Sequence, residues 1–206
     1  MEFTHAWVPT GFAPKGETRI RLICDQLAAA LPGVKVVMPD FFRNNAWKGP
    51  PGTDEFKAWK ANFTWDESIE ADMEQRVMPF LAQQGCEKGY YAIIGFCWGA
   101  MVAMNAAATG NFKGAAYIHP SALTVELAEA ASCQQLMLPV IGDTEDVKQG
   151  GKICAAIEAQ NLLYKLQVFQ SRHGFVPRGD LSDPVINEEV EEVMGIISTF
   201  IRDQFN

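Results

Sequence analysis

Short apolar runs alternate along the chain with segments whose hydrophobic residues recur every three or four positions. The runs are bounded by Gly, Pro or Asp and seldom alternate with polar residues. This pattern is typical of strands that are covered on both faces of a sheet. It predicts six strands, of which the first is the weakest: Phe3–Val8, Val34–Met38, Tyr90–Gly95, Gly114–Ile118, Leu136–Ile141 and Tyr164–Phe169.

The segments between the strands place their apolar residues on one stripe of a helix. Near the N-terminus, for example, Ile20, Ile23 and Leu27 share a face. Pro79 is expected to bend or shorten the second helix, because proline offers no N–H to a helix interior. The predicted helices are Thr18–Ala30, Asp66–Gln84, Met101–Thr109, Lys152–Gln160 and a last helix that starts at Asp183–Pro184.

Repeated alternation of strands and helices predicts an α/β fold with a mostly parallel central sheet and helices on both faces. The chain has 206 residues, and no linker, repeat or charge block interrupts it, so we expect a single domain over residues 1–206. The one long irregular stretch is Pro39–Asn62, which contains Trp47 and Trp59. Long aromatic loops of this kind are often lids or binding loops.

Charge and cysteine usage exclude several classes of protein. With 17 basic and 25 acidic residues the net charge is −8, the wrong sign for binding nucleic acid or an anionic membrane. No apolar stretch is long enough for a membrane helix, and the first residues lack the apolar core of a signal peptide. The five cysteines form no Cys-x-x-Cys pair, and no His stands at metal-ligand spacing. We therefore expect free thiols, no metal site and a cytoplasmic location.

The segment that carries chemistry is Gly95-Phe96-Cys97-Trp98-Gly99, which joins an apolar strand to a helix of small residues. This sequence predicts the sharp nucleophile turn of Gly-x-Ser-x-Gly hydrolases, with sulfur in place of oxygen. The central residue takes a positive φ, and small residues two places to either side let the backbone close up. The thiol then lies at a helix N-terminus, which favours thiolate, and the Trp98 N–H can form half of an oxyanion hole. The alternative is a buried structural cysteine.

A thiol nucleophile needs a base and an orienting acid, in the chain order nucleophile, acid, base. His173 follows the last strand and is the predicted base. His119 ends the strand after the nucleophile helix, at the sheet edge where ligands bind, and is a candidate for substrate binding. The loop after the fifth strand offers three carboxylates. We prefer Asp146, which begins the next segment, as the acid, with Asp143 as the alternative.

Together these residues resemble the dienelactone hydrolase family, a cysteine branch of the α/β-hydrolase fold. The resemblance extends from about Gly11 to the C-terminus. It implies Cys97 as nucleophile, His173 as base and Asp146, less surely Asp143, as acid. The motifs that carry it are GFCWGA around Cys97, HGFVPRGD from His173, PDFFR at Pro39–Arg43, TRIRLICDQLA at Thr18–Ala28 and HPSALTVE at His119–Glu126.

The resemblance also implies a hydrolase of small lactones or esters that forms a thioester and needs no metal or organic cofactor. It implies a second oxyanion N–H near Phe12. Arg178, Arg172 or Arg43 could pair with a substrate carboxylate, and Phe42 and Phe175 could wall an apolar pocket. No surface patch is distinguishable from core in the sequence, so either a monomer or a homodimer is expected.

The N-terminal region departs from the family pattern. Family members usually end an N-terminal strand in an acidic residue near the oxyanion loop, whereas Ala6–Phe12 reads AWVPTGF and has no carboxylate. We therefore expect an α/β-hydrolase fold that is shortened at the N-terminus. The alternative function is a non-catalytic family member that binds a small molecule or a protein partner. A redox role for Cys97 is weaker, because no resolving cysteine stands nearby in the sequence.

Overall fold

The computed structural model describes residues 6–7, 14–43, 45, 47–50 and 52–205, with the backbone alone described for residues 6–7 and 14–18. The chain forms two compact units, Met1–Cys86 and Glu87–Asn206. The organisation as one domain over residues 1–206 stays a prediction.

The first unit contains a short parallel pair of strands. Strand β1 (Ala6–Trp7) pairs with β2 (Val37–Met38), and helix α1 (Pro14–Ala30) lies between them in sequence. Both strands fall inside the predicted runs, and β2 is shorter than its predicted run Val34–Met38. Buried Ile23 and Leu27 lie on the predicted apolar stripe of α1.

A second helical segment of this unit runs from residue 65 to residue 83. Two π-helical stretches, Trp65–Ile69 and Met73–Val77, alternate with α3 (Glu70–Asp72) and α4 (Met78–Gln83). Pro79 does not end the helix early, because it falls in the first turn of α4, where its missing N–H is not needed.

The stretch Pro39–Asn62, expected to be irregular, contains helix α2 (Asp54–Lys60). Thr53 caps this helix by accepting a hydrogen bond from the Phe56 N–H at 3.1 Å. The aromatic side chains in and next to this stretch pack against one another around Trp59, and Phe42 is the most buried of those in the stretch, 7% exposed. The ring pairs in this cluster join Phe42, Trp47, Phe56, Trp59 and Phe63.

The second unit is built on a four-stranded, fully parallel sheet with the order β3-β4-β5-β6. Its strands are β3 (Ala92–Phe96), β4 (Gly114–Ile118), β5 (Gln134–Leu138) and β6 (Leu163–Leu166). Its helices are α5 (Trp98–Ala108), α6 (Val125–Ala130), α7 (Lys152–Ala159), α8 (Phe175–Arg178) and α9 (Pro184–Phe205). Helix α6 was not predicted, and strand β5 ends before Pro139, which has no N–H for the ladder.

Helices cover both faces of this sheet. Neighbouring residues of a strand point to opposite faces. Ala115 and Tyr117 of β4 pack in one core with residues of α5, α6 and α7, whereas a Cβ at Gly114 would meet Phe200 of α9. The α/β class and the mostly parallel sheet are therefore confirmed. Among the described residues, no helix combines the length and apolar character that crossing a bilayer requires.

Candidate active site

Cys97 lies at a sharp turn between the end of β3 and the start of α5. Its backbone has φ 53° and ψ −118°, which is the strained, positive-φ conformation expected from the sequence. Gly95 is required here, because a Cβ at this position would overlap the carbonyl oxygen of Gly99. Gly99 was also expected to need a small side chain, but a Cβ there would meet nothing within 4 Å in the described part of the chain.

The strained turn is held by the neighbouring strand β4. The Cys97 N–H donates to the Ile118 carbonyl at 3.1 Å, and the Ser121 N–H donates to the Cys97 carbonyl at 3.2 Å. Residues 118–121 thus run alongside the turn and fix the direction in which the thiol points. The Ser121 hydroxyl also lies 3.7 Å from the Cys97 sulfur. Sequence reasoning did not single out Ser121, although its place just after β4 at the carboxyl edge of the sheet is a usable signal.

His173 is oriented by a buried carboxylate. Its Nδ1 lies 2.7 Å from Oδ1 of Asp143, whose side chain is only 4% exposed. The other oxygen of Asp143 accepts the Val140 N–H at 2.9 Å, so both carboxylate oxygens are held. An oriented carboxylate of this kind fixes the tautomer and the ring plane of a histidine.

The preference for Asp146 over Asp143 is corrected by this geometry. Asp146 lies in the 3₁₀ turn Glu145–Val147, where its N–H donates to the Thr144 hydroxyl at 3.4 Å. The acid that contacts His173 is Asp143, three residues after Val140, which forms a β-bridge with Phe169. The spacing of the carboxylates in the sequence does not separate the two. The predicted strand ended at Ile141, whereas β5 ends at Leu138.

The electrostatics of Cys97 and His173 favour a thiolate beside an imidazolium. Burial acts to raise the pKa of the Cys97 thiol, but the hydrogen bond and charge of His173 outweigh it, helped by Ser121 and the Trp98 N–H, so the pKa lies below its ordinary value. The hydrogen bond with Asp143, followed by that with Cys97, raises the pKa of His173 to about 9. Each shift favours the charged form of its group.

Three of the other thiols have a raised pKa rather than a lowered one. Burial raises the pKa of Cys24, Cys133 and Cys154 to about 11 in each case. These cysteines remain protonated near neutral pH, so Cys97 differs from them in the property that makes a thiol nucleophilic.

His119 lies next to His173, directly after the carboxyl end of β4. Its side chain is fully buried, and its ring centre is 5.0 Å from that of His173. The rings of Phe96 and Phe175 are its other aromatic neighbours. Burial lowers the pKa of His119 to about 3, so it stays neutral.

The remaining predicted site residues differ in how far the structure describes them. Trp98 lies at the start of α5, and its backbone N–H donates a hydrogen bond to the Cys97 sulfur. Phe175 is 1% exposed and packs in the core against His119, rather than lining an open wall. Arg178 is exposed, with its guanidinium against Gly174. Phe42 belongs to the aromatic cluster of the first unit, and Phe12 lies outside the described residues.

Across the part of the chain that the structure describes, no three His, Cys, Asp or Glu side chains are grouped so that they could bind a metal ion together.

The model of the dienelactone hydrolase family matches residues 10–194, which is most of the chain. No curated protein and no solved structure matches it significantly.

Proposed function

The chain belongs to the dienelactone hydrolase family, and we propose that it hydrolyses small lactones or esters with Cys97 as the nucleophile, His173 as the base and Asp143 as the orienting acid. Family membership supports the hydrolysis of esters or lactones. The observation that carries the residue assignment is the chain of contacts from the Cys97 thiol through His173 to the buried carboxylate of Asp143.

In the proposed acylation step, the Cys97 sulfur attacks the ester or lactone carbonyl. The S–C bond forms, the C–O bond of the leaving group breaks, and the proton held by His173 goes to the leaving oxygen. The backbone N–H of Trp98 stabilises the charge that develops on the carbonyl oxygen. In a lactone the leaving oxygen stays attached to the acyl group, so ring opening releases no separate alcohol.

In the proposed deacylation step, water hydrolyses the thioester. His173 takes one proton from the water, the hydroxyl adds to the carbonyl carbon, and the C–S bond breaks to return the Cys97 thiolate. This chemistry needs only the side chains named and water. Because a thiolate nucleophile must stay reduced, we also propose that the protein works in the cytoplasm.

Arg178 is the residue that we propose to bind the substrate. Arg178 follows the loop of His173, and its exposed guanidinium could pair with a carboxylate on the substrate. Contact of Phe42 with the substrate stays a prediction. An acidic substituent on the acyl group would suit the charge of this guanidinium.

The experiment that tests the proposal is stopped-flow hydrolysis of p-nitrophenyl acetate by the full chain. Wild type should release a stoichiometric burst of p-nitrophenolate before a slower steady state, because acylation precedes hydrolysis of the thioester. Cys97→Ala should abolish both phases, whereas the matched control Cys24→Ala, at a thiol with a raised pKa, should retain them. A panel of lactones that begins with dienelactone then follows.

A wild-type protein with no burst, and with the same background rate as Cys97→Ala, would contradict the proposal. That result would favour a non-catalytic family member that binds a small molecule or a protein partner.

A further inference from the structure

Ser121 contacts the nucleophile at two points. Its hydroxyl oxygen is 3.7 Å from the Cys97 sulfur, which is a hydrogen-bonding distance for an atom as large as sulfur. Its N–H donates to the Cys97 carbonyl at 3.2 Å, and this bond holds the residue beside the turn. Among the described residues, the sulfur is the one hydrogen-bond partner of the hydroxyl. The hydroxyl is therefore not committed to a structural contact elsewhere.

The backbone on both sides of Ser121 is strained. His119 has φ 37° and Ala122 has φ 60°, which are rare values for residues other than glycine. With Cys97 they make up three of the five such residues in the described part of the chain. Strain of this kind persists where the surrounding structure enforces it, and it clusters at functional sites. The strained path thus points to a functional reason for placing Ser121 beside the sulfur.

The ionisation of Cys97 fixes the direction of this hydrogen bond. A hydroxyl can accept from a thiol or donate to a thiolate. Once the proton of Cys97 has moved to His173, the sulfur has no hydrogen left and can only accept. The Ser121 hydroxyl then donates, and a hydrogen bond to a charged acceptor is stronger than one between neutral groups. In agreement, the contact with Ser121 helps to lower the pKa of Cys97.

The titratable groups around the sulfur define the charge that this hydroxyl acts on. His173 contacts the sulfur, and Asp143 holds the ring of His173. Burial lowers the pKa of His119 to about 3, so its ring is neutral, and the charge of Arg178 acts on it in the same direction. The negative charge next to the Ser121 hydroxyl is therefore that of the sulfur itself.

Three donors reach the sulfur from the described residues, and two of them have a second task in the proposed reaction. His173 delivers its proton to the leaving oxygen. The Trp98 N–H turns to the carbonyl oxygen of the substrate, where charge develops. The Ser121 hydroxyl has no second task, so it can stay on the sulfur until the S–C bond forms.

We propose that Ser121 is a further catalytic residue, whose hydroxyl donates a hydrogen bond to the Cys97 thiolate and holds the sulfur in position for attack on the ester or lactone. This inference rests on the proposed function and deepens its acylation step. The proton of Cys97 goes to His173, and Ser121 keeps its own proton. The hydrogen bond weakens as the S–C bond forms, because the sulfur then loses its charge.

The pH dependence of alkylation tests the hydrogen bond without an ester substrate. Iodoacetamide reacts with the thiolate, and peptide mass spectrometry follows Cys97 separately from the other thiols. Ser121→Ala should raise the midpoint of the Cys97 profile by about one pH unit. Below the midpoint this variant should react about tenfold more slowly than wild type. Above it the variant should react at least as fast, because a more basic thiolate is the stronger nucleophile.

Two further variants serve as controls. Ser121→Thr keeps the hydroxyl and should restore the wild-type midpoint. Ser132→Ala removes a hydroxyl that donates to the Ala107 carbonyl at the opposite end of α5, so its profile should match wild type. Thermal melting checks that each variant is folded. If Ser121→Ala does not fold, Ser121→Val replaces it, because valine has the shape of threonine without the hydroxyl.

Stopped-flow hydrolysis of p-nitrophenyl acetate connects the hydrogen bond to the reaction. Ser121→Ala should keep the burst amplitude, and its burst rate should fall below the alkylation midpoint by the same factor as the rate of alkylation. An unchanged midpoint in the folded variant, an equal loss of rate at every pH, or a loss that Ser121→Thr shares in full would overturn the role of Ser121. The absence of a burst in wild type would instead overturn the proposed function.

Discussion

The hydrogen bond between Asp143 and His173 is the contact whose loss can be quantified best from the structure. We consider Asp143→Asn, which keeps the size of the side chain. The Val140 N–H, which donates to Asp143 at 2.9 Å, can still donate to the amide oxygen, so the turn should persist. The amide NH₂ then faces Nδ1 of His173 and forces that nitrogen to accept a hydrogen bond. The proton of the neutral ring moves to the other nitrogen, which is the one needed to take a proton from Cys97 or water.

The size of the expected loss in activity follows from the pKa of His173, which is raised from 6.5 to about 9 with Asp143 as the largest cause. A change of this size corresponds to about 3 kcal/mol of preference for the charged ring. Cys97 contributes part of it, and the His173 side chain is 33% exposed, so solvent screening reduces it further. We assign about half to Asp143, which predicts a loss in kcat/KM of at least about tenfold, and more through the wrong tautomer.

The assay is steady-state ester hydrolysis with Asp146→Asn as the matched control in the same loop. The control should stay within about threefold of wild type, because Asp146 makes no contact with His173 among the described residues. Thermal melting separates loss of activity from loss of fold. Equal losses in the two variants, or a folded Asp143→Asn with activity near wild type, would refute the assignment of the acid.

Three further predictions concern the thiol, the turn and the buried histidine. At pH 7, iodoacetamide should modify Cys97 before Cys24, because the pKa of Cys97 is lowered and that of Cys24 is raised to about 11; peptide mass spectrometry checks this, and equal labelling would contradict it. Gly95→Ala should cost about 2–4 kcal/mol in denaturant unfolding, since its Cβ would overlap the Gly99 carbonyl, whereas Gly99→Ala should cost clearly less. His119 has a pKa of about 3 in the folded chain, below its value in the unfolded chain. Below about pH 6.5 the unfolded chain therefore binds one more proton than the folded chain, and the free energy of unfolding decreases as the pH is lowered. His119→Asn should therefore flatten the loss of unfolding free energy between about pH 6 and 4 by up to about 1.4 kcal/mol per pH unit, and an unchanged slope would contradict a neutral, buried His119.

Local patterns in the sequence predicted the parallel sheet and the nucleophile turn, because both depend on neighbouring residues. Strand β4 was predicted at its observed bounds, Gly114–Ile118, since it is buried on both faces and flanked by polar residues. Cys97 was predicted to take a positive φ, because the spacing from Gly95 constrains the backbone locally. Chain order alone placed His173 beside the turn, since parallel strands bring their carboxyl ends to one edge.

Contacts between distant residues were beyond the sequence. The choice of Asp143 over Asp146 depends on where β5 stops and on the N–H of Val140, which is a matter of a few residues in a loop. Ser121 meets the sulfur across 24 positions, through a hydrogen bond that no periodicity encodes. The burial of His119 was missed, because a histidine at a strand end is equally compatible with an open ligand-binding edge.

The central claim is that Cys97 carries the acyl group, and the most direct measurement is rapid-quench mass spectrometry during turnover of p-nitrophenyl acetate. Acid quenching within the burst phase preserves a thioester, and peptide mapping then locates it. The account predicts an acetyl group on the peptide that contains Cys97, at a near-stoichiometric level in wild type. Turnover without an acyl group on Cys97, or with the group on another residue, would contradict it.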